Sequence, residues 1–307
     1  MIKMQGYKKS YKYESMLLGC AMLWGLQFSM LKFVGEKFDT VSLLFIKFFL
    51  SAAFLVVVGR KKIRVHGKDM VIHSILLGIL EVVQIYFQTV GLANTNPANS
   101  SFIITTNVIY VPIIMFVLFR KKPSRNMVIG LSAITIGFLF ISGIVNLYPF
   151  RITLNLGYGD LLSLICAVLT AIYMVYFNYL STKYDEDSVN IIHLVVSAAV
   201  MFIAWILCYH SGKVKVDFEN IPAVFGLVYC GLFSGGVATM LLARGTAQVN
   251  ASKTAILCGL EPVFATLFAA ILTIFIPSLD GRLTPSIIFG GALILFGAIK
   301  SSLIPEK

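Results

Sequence analysis

The chain has 307 residues, of which 58% are hydrophobic and 13% charged, and its formal net charge is +11. Soluble domains are about one quarter charged, so this composition and a mean hydropathy of +0.88 exclude an ordinary soluble protein. The positive charge does not indicate nucleic-acid binding, because the basic residues stand in short clusters between apolar runs. The first apolar run is too long for a cleavable signal peptide and lacks a small-residue cleavage site.

Ten apolar segments are long enough to cross a bilayer as helices, which takes about 20 residues each. The sequence therefore predicts an all-α membrane protein with ten transmembrane helices. The predicted spans are 15–34, 41–59, 70–92, 98–119, 126–147, 158–180, 189–209, 222–243, 251–276 and 284–304.

Basic residues in the connecting segments indicate how the spans are oriented. Most of the 25 Lys and Arg residues precede span 1 or lie in every second connection after it. Cytoplasmic loops carry an excess of Lys and Arg, so both termini are predicted to be cytoplasmic, with residues 1–14 as a basic tail. The expected location is the cytoplasmic (inner) membrane. The acidic loop 184–187 departs from this pattern, but acidic residues contribute little to it.

The two halves of the chain, 15–147 and 158–304, repeat one another. The segment ESMLLGCAMLWG from Glu14 aligns with DLLSLICAVLTA from Asp160. Five spans per half is an odd number, so the second half is predicted to be inverted relative to the first, as in many transporters. Glycines of the last span in each half also align, seven residues apart: Gly130 and Gly137 with Gly290 and Gly297.

One span in each half combines polar residues with a proline. The segment 251–276 carries Glu261 near its middle, followed at once by Pro262. A carboxylate at bilayer depth costs about 2.5–3.5 kcal/mol, and proline removes a helical hydrogen bond. The segment 98–119 carries Pro112 in the corresponding place. Two interrupted spans in matching halves predict a central site of a transporter, with both prolines as kinks.

Several motifs resemble the EamA-type members of the drug/metabolite transporter superfamily over essentially the whole chain. They are LWG in the first span, GLANTNPANSSFIITTNVIYVPII, GDLLSLICAVLTAIY, LEPVFATLFAAIL and GGALILFGA. The resemblance implies ten helices, with the first four of each half around a central cavity and the fifth of each outside. Such proteins usually carry an arginine where this chain has Lys47, which keeps the charge without the bidentate fork.

Polar groups at bilayer depth are the candidates for the cavity lining. Glu81, Gln84 and Gln88 share one helix face, toward either a packed interface or a wet cavity. Lys47 and Glu81 reach similar depths and are predicted to neutralise each other, as a structural ion pair or as substrate contacts. Glu261 either contacts substrate or braces broken helix backbone. The predicted substrate-binding residues are Trp24, Gln27, Lys47, Glu81, Gln84, Gln88, Asn107, Tyr110, Tyr173 and Glu261.

No metal site, cofactor or catalytic site is expected. The five cysteines lie inside apolar runs without paired spacing, and we interpret them as core residues. The chain contains no HExxH, GxSxG or phosphate-binding P-loop motif. The histidines lie in loops or near predicted span ends, where we expect interfacial positions: His66, His73, His193 and His210.

These features predict a secondary transporter of small polar or zwitterionic metabolites such as amino acids, working by alternating access. The family resemblance favours export. The nearest alternative is an uptake permease for a quaternary amine, a nucleoside or a vitamin, and an intramembrane enzyme is disfavoured. The expected partners are a small-molecule substrate and the lipid bilayer but no nucleic acid. A coupling proton or sodium ion, and a monomer or a homodimer, are open alternatives.

Overall fold

The computed structural model describes residues 11–59, 63–95, 97–120, 122–152, 157–272 and 283–302. Of the described residues, 82% are helical. Residues 1–10 of the predicted tail and the end of the predicted ninth span lie outside the described residues. The helices of the first half are α1 Tyr11–Gly35, α2 Thr40–Gly59, α3 Gly67–Ala93, α4 Pro97–Thr105, α5 Asn107–Phe119 and α6 Arg125–Ile141.

A β-hairpin joins the halves through strands β1 Val145–Leu147 and β2 Phe150–Ile152, which pair antiparallel. The prediction of a wholly α-helical fold missed this hairpin, which is too short for a clear alternating pattern. The second half contains α7 Tyr158–Lys183, α8 Glu186–His210, α9 Ile221–Val228, a π-helical segment Tyr229–Val237, α10 Ala238–Thr246, α11 Ala251–Cys258, α12 Glu261–Leu272 and α13 Pro285–Ser302.

In the described part of the chain, eight helical stretches are long and apolar enough to cross a membrane. Helices α4 with α5, α11 with α12, and α9 with the π-helical segment and α10 each make one such stretch. The apolar helices α6 and α13 are shorter. Their outward faces carry exposed apolar side chains, such as Ile136 on α6 and Phe296 on α13. An apolar outer surface fits a lipid environment.

Glycines bring α6 and α13 into close contact. A Cβ atom added to Gly130 would lie 2.5 Å from the carbonyl oxygen of Gly297, and one added to Gly137 would lie 2.5 Å from that of Gly290. Small residues of this kind let helix backbones approach closely. Residue numbers fall along α13 as they rise along α6 at these contacts, so the two helices run in opposite directions.

The connections between spans meet at the two ends of the molecule. At one end, hydrogen bonds join Lys215 N to Asp39 Oδ2 (2.9 Å), Thr95 Oγ1 to Asp160 Oδ1 (2.5 Å) and Leu147 N to Ser286 Oγ (2.8 Å). At the other end, ion pairs and a hydrogen bond join Arg244 to Asp187 (2.9 Å), Lys253 to Glu14 (2.8 Å) and Arg64 N to Ser188 Oγ (2.8 Å). The two groups alternate along the chain, as successive membrane crossings require.

Candidate functional site

A cavity lies between the two halves of the protein. It contains about 720 Å³ of space free of protein atoms, including the open space at its mouth, and side chains from both halves line it. Of the ten predicted site residues, all but Tyr110 line this cavity: Trp24, Gln27, Lys47, Glu81, Gln84, Gln88, Asn107, Tyr173 and Glu261.

Tyr110 is instead partly buried against the apolar core formed around α1, α3 and α7. It follows Asn107, which does line the cavity, by three residues. A side chain three residues further along a helix points about 60° away from the first one and lies about 4.5 Å further along the axis. That displacement carries Tyr110 past the cavity wall.

Lys47 is held at the cavity by an amide rather than by a carboxylate. Its Nζ donates to Oε1 of Gln27 at 2.9 Å, and Lys47 is only 4% exposed. The hydroxyl of Ser234 donates to the same oxygen. Two donors on Oε1 fix the orientation of the Gln27 amide. Among the described residues, no carboxylate lies within 4.0 Å of the Lys47 ammonium, so the positive charge is available to the cavity.

The π-helical segment brings Ser234 to this position. A Cβ atom at Gly231 would lie 2.6 Å from Leu50, and one at Gly235 would collide with Ser51, so the glycines let this segment pack closely on α2. The Ser51 hydroxyl lies 2.8 Å from the Gly231 carbonyl oxygen and 2.7 Å from that of Lys47, and so links this segment to α2. Such π-helical turns occur frequently at functional sites.

Glu81 pairs with His193 rather than with Lys47. His193 Nε2 lies 2.6 Å from Glu81 Oε2, and the imidazole is completely buried. The prediction of an interfacial His193 is therefore wrong. Lys47 and Glu81 do line the same cavity, as expected, but among the described residues no direct ion pair joins them. The reason is Gly78, one turn before Glu81: its missing side chain lets the His193 backbone approach α3, since a Cβ there would lie 2.5 Å from the His193 carbonyl oxygen. Ser197 also binds the Gly78 carbonyl, at 3.0 Å.

Glu261 stands where the ninth span is interrupted. Helix α11 ends at Cys258, and α12 begins at Glu261. A carboxylate in the first turn of a helix is stabilised by the positive end of the helix dipole. Gly25 lets α1 reach this point, because a Cβ there would lie 2.9 Å from the Glu261 carbonyl oxygen. The neighbouring Trp24 lines the cavity and donates from Nε1 to the Ser234 carbonyl at 3.2 Å.

Three buried amide side chains complete the polar wall. Oε1 of Gln84, Oε1 of Gln88 and Oδ1 of Asn107 have no hydrogen-bond partner within the described part of the chain. A buried acceptor without a partner costs about 1–3 kcal/mol. Gln84 follows Glu81 by three residues, and Gln88 follows Gln84 by four. Glu81, Gln84 and Gln88 therefore lie in a line along α3. Their amides are free to bind hydrogen-bond donors of a substrate.

The sequence pattern did not predict several residues of the cavity wall, nor the buried His193 beside Glu81. Thr105, Thr170, Ser234 and Thr239 also line the cavity. The run Ser234-Gly235-Gly236 inside an apolar span was the available signal for the π-helical segment, whereas the single threonines carry little signal. Among the described residues, no group of three His, Cys, Asp or Glu side chains could hold a metal ion.

Comparison with known proteins agrees with this architecture. The sequence model of the EamA-like transporter family matches residues 12–143 and again residues 157–303. The chain belongs to this family. The resemblance drawn from the motifs is thereby confirmed, and the EamA-like repeat accounts for both halves. The protein is therefore a membrane transporter with multiple apolar helices.

Full-length relatives carry the same general description. An uncharacterized transporter of Archaeoglobus fulgidus is 27% identical, over 97% of this chain and 88% of that protein. The uncharacterized transporter YyaM of Bacillus subtilis is 24% identical, over 94% of this chain and 92% of its own length. A solved crystal structure superposes with a TM-score of 0.74 at 15% identity, covering 96% of this chain and 98% of that chain. That likeness shows a shared fold.

Proposed function

We propose that this protein is a secondary transporter that exports small polar or zwitterionic metabolites, amino acids among them, across the cytoplasmic membrane. The observation that carries the proposal is a cavity between the halves that is lined by the amino group of Lys47 and by the carboxyl groups of Glu81 and Glu261. Lys47 can bind a carboxylate, and a glutamate carboxylate can bind an ammonium group. The direction of transport rests on the family resemblance.

The unpaired amides favour this substrate class over a quaternary amine. Gln84, Gln88 and Asn107 offer acceptor oxygens that need donors. A primary ammonium group supplies three N–H donors, whereas a quaternary amine supplies none and would leave these oxygens unsatisfied. Trp24 and Tyr173 add aromatic surface for the apolar part of the substrate.

Alternating access follows from an inverted repeat, which the contact between α6 and α13 supports. Gly130 of the first half corresponds to Gly290 of the second, and Gly137 corresponds to Gly297. In the structure, Gly130 faces Gly297 and Gly137 faces Gly290. Gly130 therefore contacts the counterpart of Gly137, and Gly137 contacts the counterpart of Gly130. This exchange is the pattern expected across a two-fold axis. On this basis we propose ten spans, with α6 and α13 as the fifth of each half.

Transport into proteoliposomes tests the proposal. Vesicles preloaded with unlabelled amino acids should take up a mixture of radiolabelled amino acids by exchange, and protein-free vesicles should not. Lys47→Met should reduce the exchange at least about tenfold, since a lost charge-assisted hydrogen bond costs about 1.5–3 kcal/mol. Lys183→Met is the matched control, because this lysine lies at the end of α7 and does not line the cavity.

Wild-type protein without exchange of any amino acid would contradict the proposed substrate class. Equal loss in Lys47→Met and Lys183→Met would contradict the role of Lys47. Direction is read separately, by comparing efflux from intact cells that express the wild type with efflux from cells that express Lys47→Met. Faster efflux in cells with Lys47→Met than in cells with the wild type would contradict export.

A further inference from the structure

The carboxyl group of Glu81 and the imidazole of His193 form a close, buried contact. His193 Nδ1 lies 3.2 Å from the carbonyl oxygen of Val189, and because a carbonyl oxygen only accepts, Nδ1 carries a hydrogen. His193 Nε2 lies 2.6 Å from Glu81 Oε2, within ion-pair distance, and Oε2 has no other hydrogen-bond partner in the described part of the chain. Two lone pairs repel at this distance, so the contact favours a proton on one of the two atoms. Either Nε2 donates to the carboxylate or the carboxylic acid donates to Nε2. In both arrangements the pair holds one shared proton and has no net charge.

The two members of the pair differ in their access to the cavity. Glu81 lines the cavity, whereas His193 is completely buried and lies behind it. The Tyr173 hydroxyl lies 3.4 Å from Nε2 and borders both the imidazole and the cavity. A proton that leaves the pair therefore leaves a neutral imidazole and a carboxylate that faces the cavity. An uncompensated buried charge is costly, so a cation must replace the proton.

We infer that Glu81 and His193 form a proton-binding site, and that the proton there exchanges with the ammonium group of the transported substrate. This inference rests on the proposed function for its second part. When the ammonium group enters from the cytoplasm, it compensates the Glu81 carboxylate, and the proton leaves to cytoplasmic water. After the substrate leaves on the other side, a proton from that side returns to the pair. Each cycle moves one proton inward and one zwitterion outward, with no change of oxidation state.

The other charged and titratable groups around the pair come from five elements. Those that line the same cavity are Lys47 of α2, Tyr173 of α7, Cys258 of α11 and Glu261 of α12. Helix α10, which also packs on α8, carries Arg244, and that side chain is held by Asp187 in a two-bond ion pair. Lys47 and Glu261 line the same cavity as Glu81, so a proton gained or lost by the Glu81–His193 pair changes the net charge around both groups.

Infrared spectroscopy tests the proton site without any substrate. The difference spectrum between acid and alkaline pH of the protein in lipid vesicles should contain a carboxyl and an imidazole band from this pair, besides those of the other Asp, Glu and His side chains. The bands of the pair should be lost in Glu81→Gln and in His193→Gln. Glu14→Gln and His73→Gln are matched controls, since they change a carboxyl and an imidazole that do not line the cavity, and both should keep the bands. Unchanged spectra in both test variants would overturn the inference whatever the substrate is.

A pH gradient tests the coupling, with a mixture of radiolabelled amino acids as the probe. Each cycle moves one positive charge, so the vesicles are held at zero membrane potential with a potassium ionophore. Vesicles whose interior is more acidic by one pH unit should then accumulate the probe about tenfold, since one proton exchanged per substrate is worth that ratio. In Glu81→Gln the ratio should fall to about one. Wild-type vesicles that exchange amino acids but do not respond to the gradient would overturn the coupling and leave the proposed function intact. Vesicles with no exchange would instead overturn the proposed function, while the infrared test still decides the proton site.

Discussion

The sequence shows that Lys47 and Glu81 need partners at bilayer depth, but it does not identify those partners. The cost of burying each charge predicts that each has a partner, and both do have one. The identity of the partner is a different matter, because Lys47 binds Gln27 and Glu81 binds His193. Both partners lie on other helices, and no feature of their sequence spacing indicates the contact.

A double-mutant cycle should separate these two arrangements. Glu81→Gln and His193→Gln should be coupled by about 0.5–3 kcal/mol in the free energy of unfolding, because each single change strands the other group. Glu81→Gln and Lys47→Met should be coupled more weakly than that, because the two groups line one cavity without a direct contact. Unfolding of the purified protein in detergent measures both cycles. Additive effects for Glu81 and His193, or strong coupling to Lys47, would contradict the assigned partners.

At the scale of elements, the interruptions in the fourth and ninth spans do not both coincide with their prolines. Helix α4 ends at Thr105, and α5 continues through Pro112 without a break. In the ninth span the interruption falls directly before Glu261 and Pro262. In the fourth span, the Thr106 hydroxyl stabilises the interruption between α4 and α5, since its Oγ1 donates to the Ile103 carbonyl at 2.6 Å.

The two prolines should therefore respond differently to substitution. Pro112→Ala supplies an N–H group for the Val108 carbonyl and straightens α5, so the exchange rate should change several-fold with normal membrane insertion. Pro262 lies in the first turn of α12, where the missing N–H has no helical acceptor, so Pro262→Ala should have little effect. Exchange kinetics in proteoliposomes measure both. Unchanged kinetics for Pro112→Ala would make that proline a passive feature.

The packing of α6 on α13 gives a prediction with an internal control. Gly290→Leu places a side chain against the Gly137 carbonyl, at 2.5 Å from the new Cβ, and should lower the free energy of unfolding by about 1–3 kcal/mol. Gly291→Leu is the control, because a Cβ there meets nothing within 4 Å. Thermal unfolding in detergent compares the two. Equal destabilisation by both changes would contradict a specific contact between these helices.

At the scale of the whole molecule, the alternation of the two sets of connections determines which residues share a side of the membrane. Lys37 and Lys215 belong to connections that contact each other through Asp39. Lys122 and Lys183 lie in connections of the other set. Basic residues are concentrated in this second set, which favours the cytoplasm for it.

Labelling of single cysteines should reveal this arrangement. In a protein lacking the five native cysteines, Lys37→Cys and Lys215→Cys should react with an impermeant thiol reagent in intact cells. Lys122→Cys and Lys183→Cys should react only after the cells are opened. Reaction of the Lys122 site in intact cells would contradict the proposal of ten spans with both termini in the cytoplasm.

The sequence alone determined the membrane class, the transporter family and the positions of most helices. Hydropathy and helical periodicity are local properties, so they are readable wherever a span is long. The same periodicity placed Glu81, Gln84 and Gln88 on one face, and the structure puts that face on the cavity. The repeated motifs indicated two matching halves, and the family match covers both.

Only the tertiary structure decided which side chains meet. His193 reaches Glu81 because Gly78 lets two distant helices approach, and Ser234 reaches Gln27 because a π-helical segment redirects it. These arrangements depend on contacts between residues far apart in the chain, whose free energies are set by packing and burial. The local sequence determines the tendency of each segment to form a helix. The partners of Glu81 and Gln27, the tautomer of His193 and the shape of the cavity are determined only when the helices pack together.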